Sequence, residues 1–471
     1  MAPRFAFRFY GWAVAWIVIS LMAACGQVPS PTPRSPVSNS PSPTADACQD
    51  PGGPVTVSVH DWSSPDRQKY WDQVIQAFTQ AHPCIRVKTV KFPEERIKVI
   101  QELTDGTAPD LIGFDTSDLP RIARMGYLTD LSPIMARDNF HPEEHFYESV
   151  YKAGFVDGKP LGIAKDYSVS AFYVNTDLLA SAGLAVPKEG WTYDDYLEMA
   201  LKLTKDQAGN NAASPEFDPK NVVTWGTILG QWGGDSGWWR GFQSFLYSWG
   251  AHTISPDGKT TTGYLNSDQA VAAWTWYRDL IHKYHVAPTV PYLNGSGANN
   301  ENFFRQQKIA ISGVFWGPWF QDVFNQTPGL KWTVVPLPTG PAGHHAAIMW
   351  MGWGINSRCQ HVDQAWQLLK WLTTDPGQKV FALKALSGDQ SVAQAMQLKS
   401  DPYWSVFLNE VPYQDRLDDL STPFYTACVD IPGGKLVGKF FQEDAVRMNI
   451  RSELDNLAAE ADRCLAESKL P

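Results

Sequence analysis

The chain has 471 residues, 44% of them apolar, with 39 basic against 49 acidic side chains and a net charge of −10. That balance argues against nucleic acid as a partner, because phosphate binding needs a basic surface. About 420 residues lie beyond a polar, proline-rich stretch near the start, enough for two or more lobes with their own cores.

Residues 1–24 read as a signal peptide. Arg4 and Arg8 make a basic start, and Gly11–Ala24 is an apolar run of fourteen residues, short of the roughly 20 that a permanent spanning helix needs. Leu21-Met22-Ala23-Ala24-Cys25 resembles a bacterial lipobox, in which Cys25 becomes a lipidated amino terminus; an ordinary secretory signal that contains a cysteine is the alternative. On either reading the chain works outside the cytoplasm, and the first reading holds it to the cell membrane. Without Arg4 and Arg8 the net charge falls from −10 to −12. Residues 25–50 follow as a tether: Gln27–Ala45 is mostly Pro, Ser and Thr, a composition with too little to bury to offset the entropy of ordering.

Beyond the tether, strands and helices alternate. Val55–Val59 is rich in β-branched residues, and Trp71, Val74, Ile75 and Phe78 recur at helical spacing. Ile85–Val90 is a second strand, a helix is expected around 94–104, and Leu111–Phe114 is a third strand. This alternation predicts parallel βαβ units and an α/β fold. Cys48 and Cys84 each lie just before one of the first two strands. If those strands are parallel neighbours, a Cys48–Cys84 disulfide is geometrically reasonable, and export permits it. Five cysteines remain after Cys25, so at least one stays free or pairs with another chain. There is no CxxC spacing to suggest a zinc site.

Gly162–Asn175 reads as a strand pair around Asp166-Tyr167-Ser168. Thr192 and Asp195 have the spacing of a capping box for the helix that follows, and 205–221 is a polar loop. Val362, Ala365, Trp366, Leu369 and Leu372 predict an amphipathic helix ended at Asp375-Pro376, and 444–465 predicts a final long helix.

Several passages occur in an order that is itself informative: Phe78-Thr-Gln-Ala-His-Pro83 before Ile85-Arg-Val87; Gly106-Thr-Ala-Pro-Asp110 leading to Gly126-Tyr-Leu-Thr-Asp-Leu131; Gly158-Lys-Pro-Leu-Gly162 through Asn175-Thr-Asp177; Phe304-Arg-Gln-Gln-Lys308 and Gly317-Pro318-Trp319. Together, over roughly 54–465, they resemble the extracellular solute-binding proteins of ABC importers, the sugar-binding family related to maltose-binding protein. The resemblance implies a periplasmic-binding-protein-like α/β fold of two lobes with a hinge and a ligand cleft between them. The chain would cross near Asp166–Phe172 and return near Met349–Gly354. The first lobe would comprise 54–167 with 352–400 and the second 168–350, with 401–471 packing on the second lobe and the hinge. It implies capture of a carbohydrate, an oligosaccharide or glycoside, and its delivery to the membrane permease subunits by a monomer, without catalysis or a cofactor.

The chain has 20 tryptophans, several of them beside glycine in turns. A sugar presents an apolar C–H face that stacks on an indole, while its hydroxyls need planar polar partners. The candidates for ligand contact are therefore Trp62 after the first strand, Asp115 after the third, Asp166 and Tyr167 at the first crossing, and Trp350 and Trp353 at the second. Trp232, Asp235, Trp238, Trp239 and Arg240 form a further loop, joined by Trp316 and by Trp319, which matches the family's sugar-stacking motif. Asp115 has an alternative role in capping the next helix, and one of Trp350 and Trp353 is expected to contact the ligand at the second crossing. No HExxH, GxSxG or P-loop motif is present, and His282, His285 and His344-His345 do not make a metal motif. A glycoside hydrolase with a hidden carboxylate pair, or a sensory or adhesive sugar-binding lipoprotein not coupled to transport, are the other classes.

Overall fold

In a computed structural model of the chain, the described residues are 53–470 apart from 64, 66, 94–96, 230–241, 290–299, 317–320, 382–385, 416 and 441. Strand β1 (Val55–Asp61) feeds helix α1 (Gln68–Ala81), which returns to β2 (Ile85–Lys91); α2 (Ile97–Asp105) then leads to β3 (Leu111–Asp115). β1 lies between β2 and β3 and is parallel to both, with Val55 opposite Ile85. The parallel arrangement follows from the crossover helices, as the alternation predicts. α1 buries Trp71, Val74 and Phe78 on one face, each contributing roughly 1.5–3 kcal/mol. Trp366 and Leu369, from much later in the chain, belong to the same core with Val57 and Val59.

The central element is β4, Ile163–Asn175, a single strand of 13 residues where the sequence suggests a pair. Asp166 and Tyr167 do not turn; they pair with Met351 and Trp350 and keep the backbone extended. The stretch contains no glycine or asparagine where a tight hairpin would need one, and the irregularity is absorbed by a bulge instead. The first part of β4 pairs with the β1–β3 side of the sheet, and residues 170–175 pair with a second group of strands. After α3 (Leu119–Arg124) and β4 come α4 (Tyr193–Leu203), β5 (Val222–Ile228), α5 (Asp268–His282), β6 (Ile309–Trp316) and β7 (Trp332–Val335). β8 (Ile348–Ile355) then returns between β3 and β4, antiparallel to both. The path across the sheet is β2-β1-β3-β8-β4-β6-β5, followed by the short strand Lys205–Asp206, while β7 also pairs with β4.

α4 starts with the capping box that its sequence predicts: Asp195 N donates to Thr192 Oγ1 at 3.1 Å, and Thr192 N donates to Asp195 Oδ2 at 2.8 Å. α6 is Val362–Thr373. The last helix is shorter at its start than expected. A separate 3₁₀ turn covers Glu443–Arg447, and α8 runs Ile450–Glu467, because Asn449 caps it by accepting from Ser452 N. Before it, α7 (Ile431–Phe440) continues from a π-helical turn at Thr426–Asp430. A disulfide joins Cys428 in that turn to Cys464 near the end of α8, with 5.5 Å between their Cα atoms. The sequence reading did not single out this pair.

Candidate functional site

The carboxyl ends of β1 and β3, where parallel strands open toward a crevice, carry the densest group of candidate residues. Beyond Asp61, the buried last residue of β1, the chain turns through Trp62 and Ser63. The Asp61 carboxylate organises the turn: it accepts from Ser63 N and Lys91 Nζ, at 2.8 and 2.7 Å. Trp62 stacks on Phe92, with ring centroids 3.4 Å apart and planes within 15°. The indole can lie against β3 only because residue 113 is glycine; a Cβ there would fall 2.2 Å from Trp62 Nε1.

The bulge in β4 supplies the polar wall. Gly352 pairs with Ala164 and Met351 with Asp166, so Lys165 is the extra residue. A bulge of this kind turns two successive side chains to one side, and Lys165 and Asp166 both line the same cavity. Lys165 Nζ lies 2.9 Å from Asp166 Oδ2, both side chains largely buried. That cavity, of about 50 Å³, is lined by Trp62, Arg67, Tyr70, Lys165, Asp166 and Trp353, among others. It is well below the roughly 300–1,000 Å³ of drug-sized pockets, so it can receive one group of a ligand but not a whole saccharide.

Asp115, Met351 and Asp166 form one row across β3, β8 and β4. Asp115 is fully buried, and its Oδ1 accepts from Ser117 N at 3.0 Å and from Ser117 Oγ at 2.7 Å. Those bonds hold the turn before α3, but Asp115 does not cap that helix: its N-cap position is Asp118, without a side-chain cap bond. Trp350 and Tyr167 are the neighbouring pair in the β8–β4 ladder and are buried. Trp350 Nε1 and the Tyr167 hydroxyl have no hydrogen-bond partner among the described residues, an uncommon condition for buried donors. Burial pushes the Tyr167 hydroxyl well above its ordinary pKa, so it stays a donor. Trp353, which lines the cavity, is otherwise buried, and its Nε1 donates to His60 O at 2.8 Å.

His60 fixes this floor. Its Nδ1 accepts from Gly113 N at 3.1 Å, which leaves the Nε2 proton to reach Glu102 Oε2, also at 3.1 Å. Burial lowers the imidazole pKa from 6.5 to about 4 and raises that of Glu102. At neutral pH the contact is therefore a hydrogen bond donated by neutral histidine to Glu102.

A second cavity, of about 510 Å³, opens beside the end of β3. It is lined by Ile100 of α2, by Ser117, Asp118 and Arg121, by Phe424 and neighbours from 423–431, and by residues 468–470. Its volume falls in the range of ligand pockets. None of these residues is among the sequence candidates, and neither are Lys165 and Arg67. Phe424 offered no signal of its own, because the segment that carries it is joined to β3 only by the tertiary fold.

The structure brings Trp62, Asp166 and Trp353 to one cavity, with Tyr167, Trp350 and Asp115 on the adjoining strand positions. Trp316 ends β6, with its backbone paired to Ser170. Trp232, Asp235, Trp238, Trp239, Arg240 and Trp319 lie outside the described residues, as do Cys25 and Cys48. Cys84 is disulfide-bonded, and β1 and β2 are the parallel neighbours that a Cys48–Cys84 bridge presupposes, with Val55 N donating to Cys84 O at 2.9 Å. Among the described residues, no helix is long and apolar enough to cross a membrane, and no three His, Cys, Asp or Glu side chains are grouped to hold a metal.

Residues 73–405 match the model of a family described as bacterial extracellular solute-binding protein. An uncharacterized lipoprotein from Streptomyces antibioticus is 22% identical over 364 residues, 74% of this chain and 73% of that protein. Among solved structures, an ABC substrate-binding protein from Listeria monocytogenes in complex with cycloalternan superposes with a TM-score of 0.70 at 20% identity, covering 88% of this chain and 99% of that one. The sugar-binding protein MalE from Xanthomonas citri gives 0.71 at 17% identity, with 88% and 98% covered. At these identities the likeness establishes the fold, a periplasmic-binding-protein architecture, as the sequence resemblance implies.

Proposed function

The chain belongs to the bacterial extracellular solute-binding proteins, a family of binding proteins rather than enzymes, and we propose that it captures a carbohydrate between two lobes and hands it to an ABC importer. The carrying observation is the composition of the cavity at the carboxyl end of β1. The Trp62 indole, backed by Phe92, stands beside the Lys165–Asp166 pair. An aromatic plate beside a cationic donor and a planar carboxylate acceptor matches a pyranose, with its apolar face and its rim of hydroxyls. The larger cavity beside Ser117 and Phe424 gives room for further rings, which favours an oligosaccharide or glycoside. Cycloalternan, the ligand of the Listeria protein, is such a compound.

The lobes of this reading are 54–167 with 352–400, and 168–350, with 401–471 packing across the hinge; β4 and β8 are the crossing strands. Trp232, Asp235, Trp238, Trp239, Arg240, Trp316 and Trp319 complete the site from the second lobe. Closure around the solute is favoured by the contacts made only in the closed form, and the closed monomer docks on the permease. Cys25 carries the lipid that keeps the protein near it at high effective concentration. A thermal-shift screen of residues 47–471 against mono- and oligosaccharides, sugar acids, glycerol phosphates, polyamines and short peptides tests the ligand class. A bound solute raises the melting temperature. A shift with saccharides, recovered unaltered, is expected; a shift with peptides or phosphate esters alone would overturn the carbohydrate assignment and leave the fold standing.

A further inference from the structure

The Cys428–Cys464 disulfide ties the end of α8 to the π-helical turn before α7. α8 is already fastened to the body along its length: Arg451 pairs with Asp268, and Asp462 accepts from Thr260 Oγ1 and Thr261 Oγ1 at 2.9 and 2.8 Å. What the disulfide adds is local. Cys428 is buried in the π-helical turn Thr426–Asp430, and Thr426 and Ala427 of that turn line the 510 Å³ cavity. The chain leaves α8 directly over the bridge. Ser468 N donates to Cys464 O at 3.0 Å, and Ser468 Oγ lies 3.7 Å from Cys428 Sγ and 4.0 Å from Cys464 Sγ. Ser468, Lys469 and Leu470 then line the same cavity as Ile100, Asp118 and Arg121.

We infer that residues 468–470, pinned by the Cys428–Cys464 disulfide, form a specificity wall of the solute site that sets how long a saccharide the cleft accepts. The inference rests on the cavity being part of the proposed carbohydrate site. Its chemistry suits that role. Leu470 and Phe424 offer apolar surface for a sugar face, and Lys469, Asp118 and Arg121, which line the same cavity, offer charged groups for its hydroxyls. A segment freed from α8 would lose one face of this enclosure, and rings beyond the first would meet water in its place. Because the wall is contributed by a segment far in sequence from β3, its side chains can vary without disturbing the sheet that builds the rest of the site.

Two measurements on the full chain beyond the tether test this. In hydrogen exchange, the Cys428→Ser/Cys464→Ser variant is expected to accelerate exchange at 117–122 and 423–427 on the order of tenfold, as a local opening does, with α8 protected at 451–462. Unchanged exchange at 117–122 would overturn the wall. In calorimetry with di-, tri- and tetrasaccharides, Leu470→Ala and Lys469→Ala are expected to weaken the longer ligands about tenfold, a contact of methylene scale or larger, with the disaccharide unchanged. Equal weakening of all lengths would overturn a role in length selection. A parent chain that binds no saccharide removes the carbohydrate reading and with it the claim of length selection, whereas saccharide binding with unchanged exchange sinks the wall alone.

Discussion

Lys165 and Asp166 are adjacent in sequence, yet both side chains face one cavity, with Nζ and Oδ2 2.9 Å apart. In an unbroken strand they would point to opposite faces; the bulge opposite Met351–Gly352 removes that alternation. The two side chains are only 11% and 7% exposed, so the pair carries a desolvation cost that stability alone does not justify. Asp166→Asn is expected to destabilise the fold by about 3 kcal/mol, seen in urea unfolding. The double change Lys165→Met/Asp166→Leu should recover most of that stability while abolishing the ligand-induced thermal shift. Recovery of both would show that the pair serves packing only.

His60 gives the fold a defined acid limit. Its pKa falls from 6.5 to about 4 on folding because burial disfavours the charged ring, so between these values the unfolded chain binds more protons. Its contribution is fully present above pH 6.5 and is lost as pH falls through about 4, a loss of about 3 kcal/mol. Glu102, raised by burial, works in the opposite direction and softens the decline. His60→Asn keeps an acceptor for Gly113 N and removes the titration. Urea midpoints measured from pH 7.5 to 4 should therefore fall less steeply for this variant than for the parent, and parallel profiles would exclude His60 as the origin.

Thiol counting separates the cysteines. Cys359 is free, and burial pushes its thiol up to about 12, so the folded protein should resist alkylation at pH 8. With Cys48 and Cys84 joined, Cys428 and Cys464 joined and Cys25 lipidated, the unfolded, unreduced mature chain should show one thiol. Three thiols would mean that Cys48 and Cys84 are not paired.

Much of the first part of the chain was legible from local pattern. The apolar spacing of Trp71, Val74 and Phe78 and the Thr192–Asp195 box act within a few residues, and both appear as read. Trp62 and Asp115 could be placed at strand ends because strand ends follow from strand pattern, whereas Asp166 and Tyr167 fall inside the continuous β4, where the sequence suggests a strand pair. Lys165 could not be read, because a bulge is decided by register against β8. Phe424 and residues 468–470 reach the 510 Å³ cavity from the opposite end of the sequence, through contacts that no local period records. The same holds for Cys428 and Cys464, whose pairing depends on α8 folding back beside the π-helical turn.

The anchor proposal is tested apart from the site. Cys25→Ser leaves the domain beyond the tether untouched, so it should move the protein from the membrane fraction to the medium or the soluble fraction without altering ligand affinity. Unchanged membrane association, or unchanged incorporation of labelled lipid, would remove the anchor and leave the secretory-signal alternative.

Gly113 holds Trp62 in its place by being absent of side chain. A Cβ at 113 would lie 2.2 Å from Trp62 Nε1 and 2.8 Å from Cε2, separations that force the indole away from β3 and off Phe92. Overpacking of this kind costs about 1–3 kcal/mol, so Gly113→Ala should lower the unfolding midpoint. If Trp62 is the plate on which the sugar stacks, the same change should weaken saccharide binding by at least about 1 kcal/mol, as truncation of an aromatic anchor does. Trp62→Phe combined with Gly113→Ala relieves the clash through a smaller ring, and should regain stability together with part of the affinity. A Gly113→Ala protein that is destabilised but binds with parental affinity would separate the two roles, leaving Trp62 as packing beneath the site rather than a surface within it.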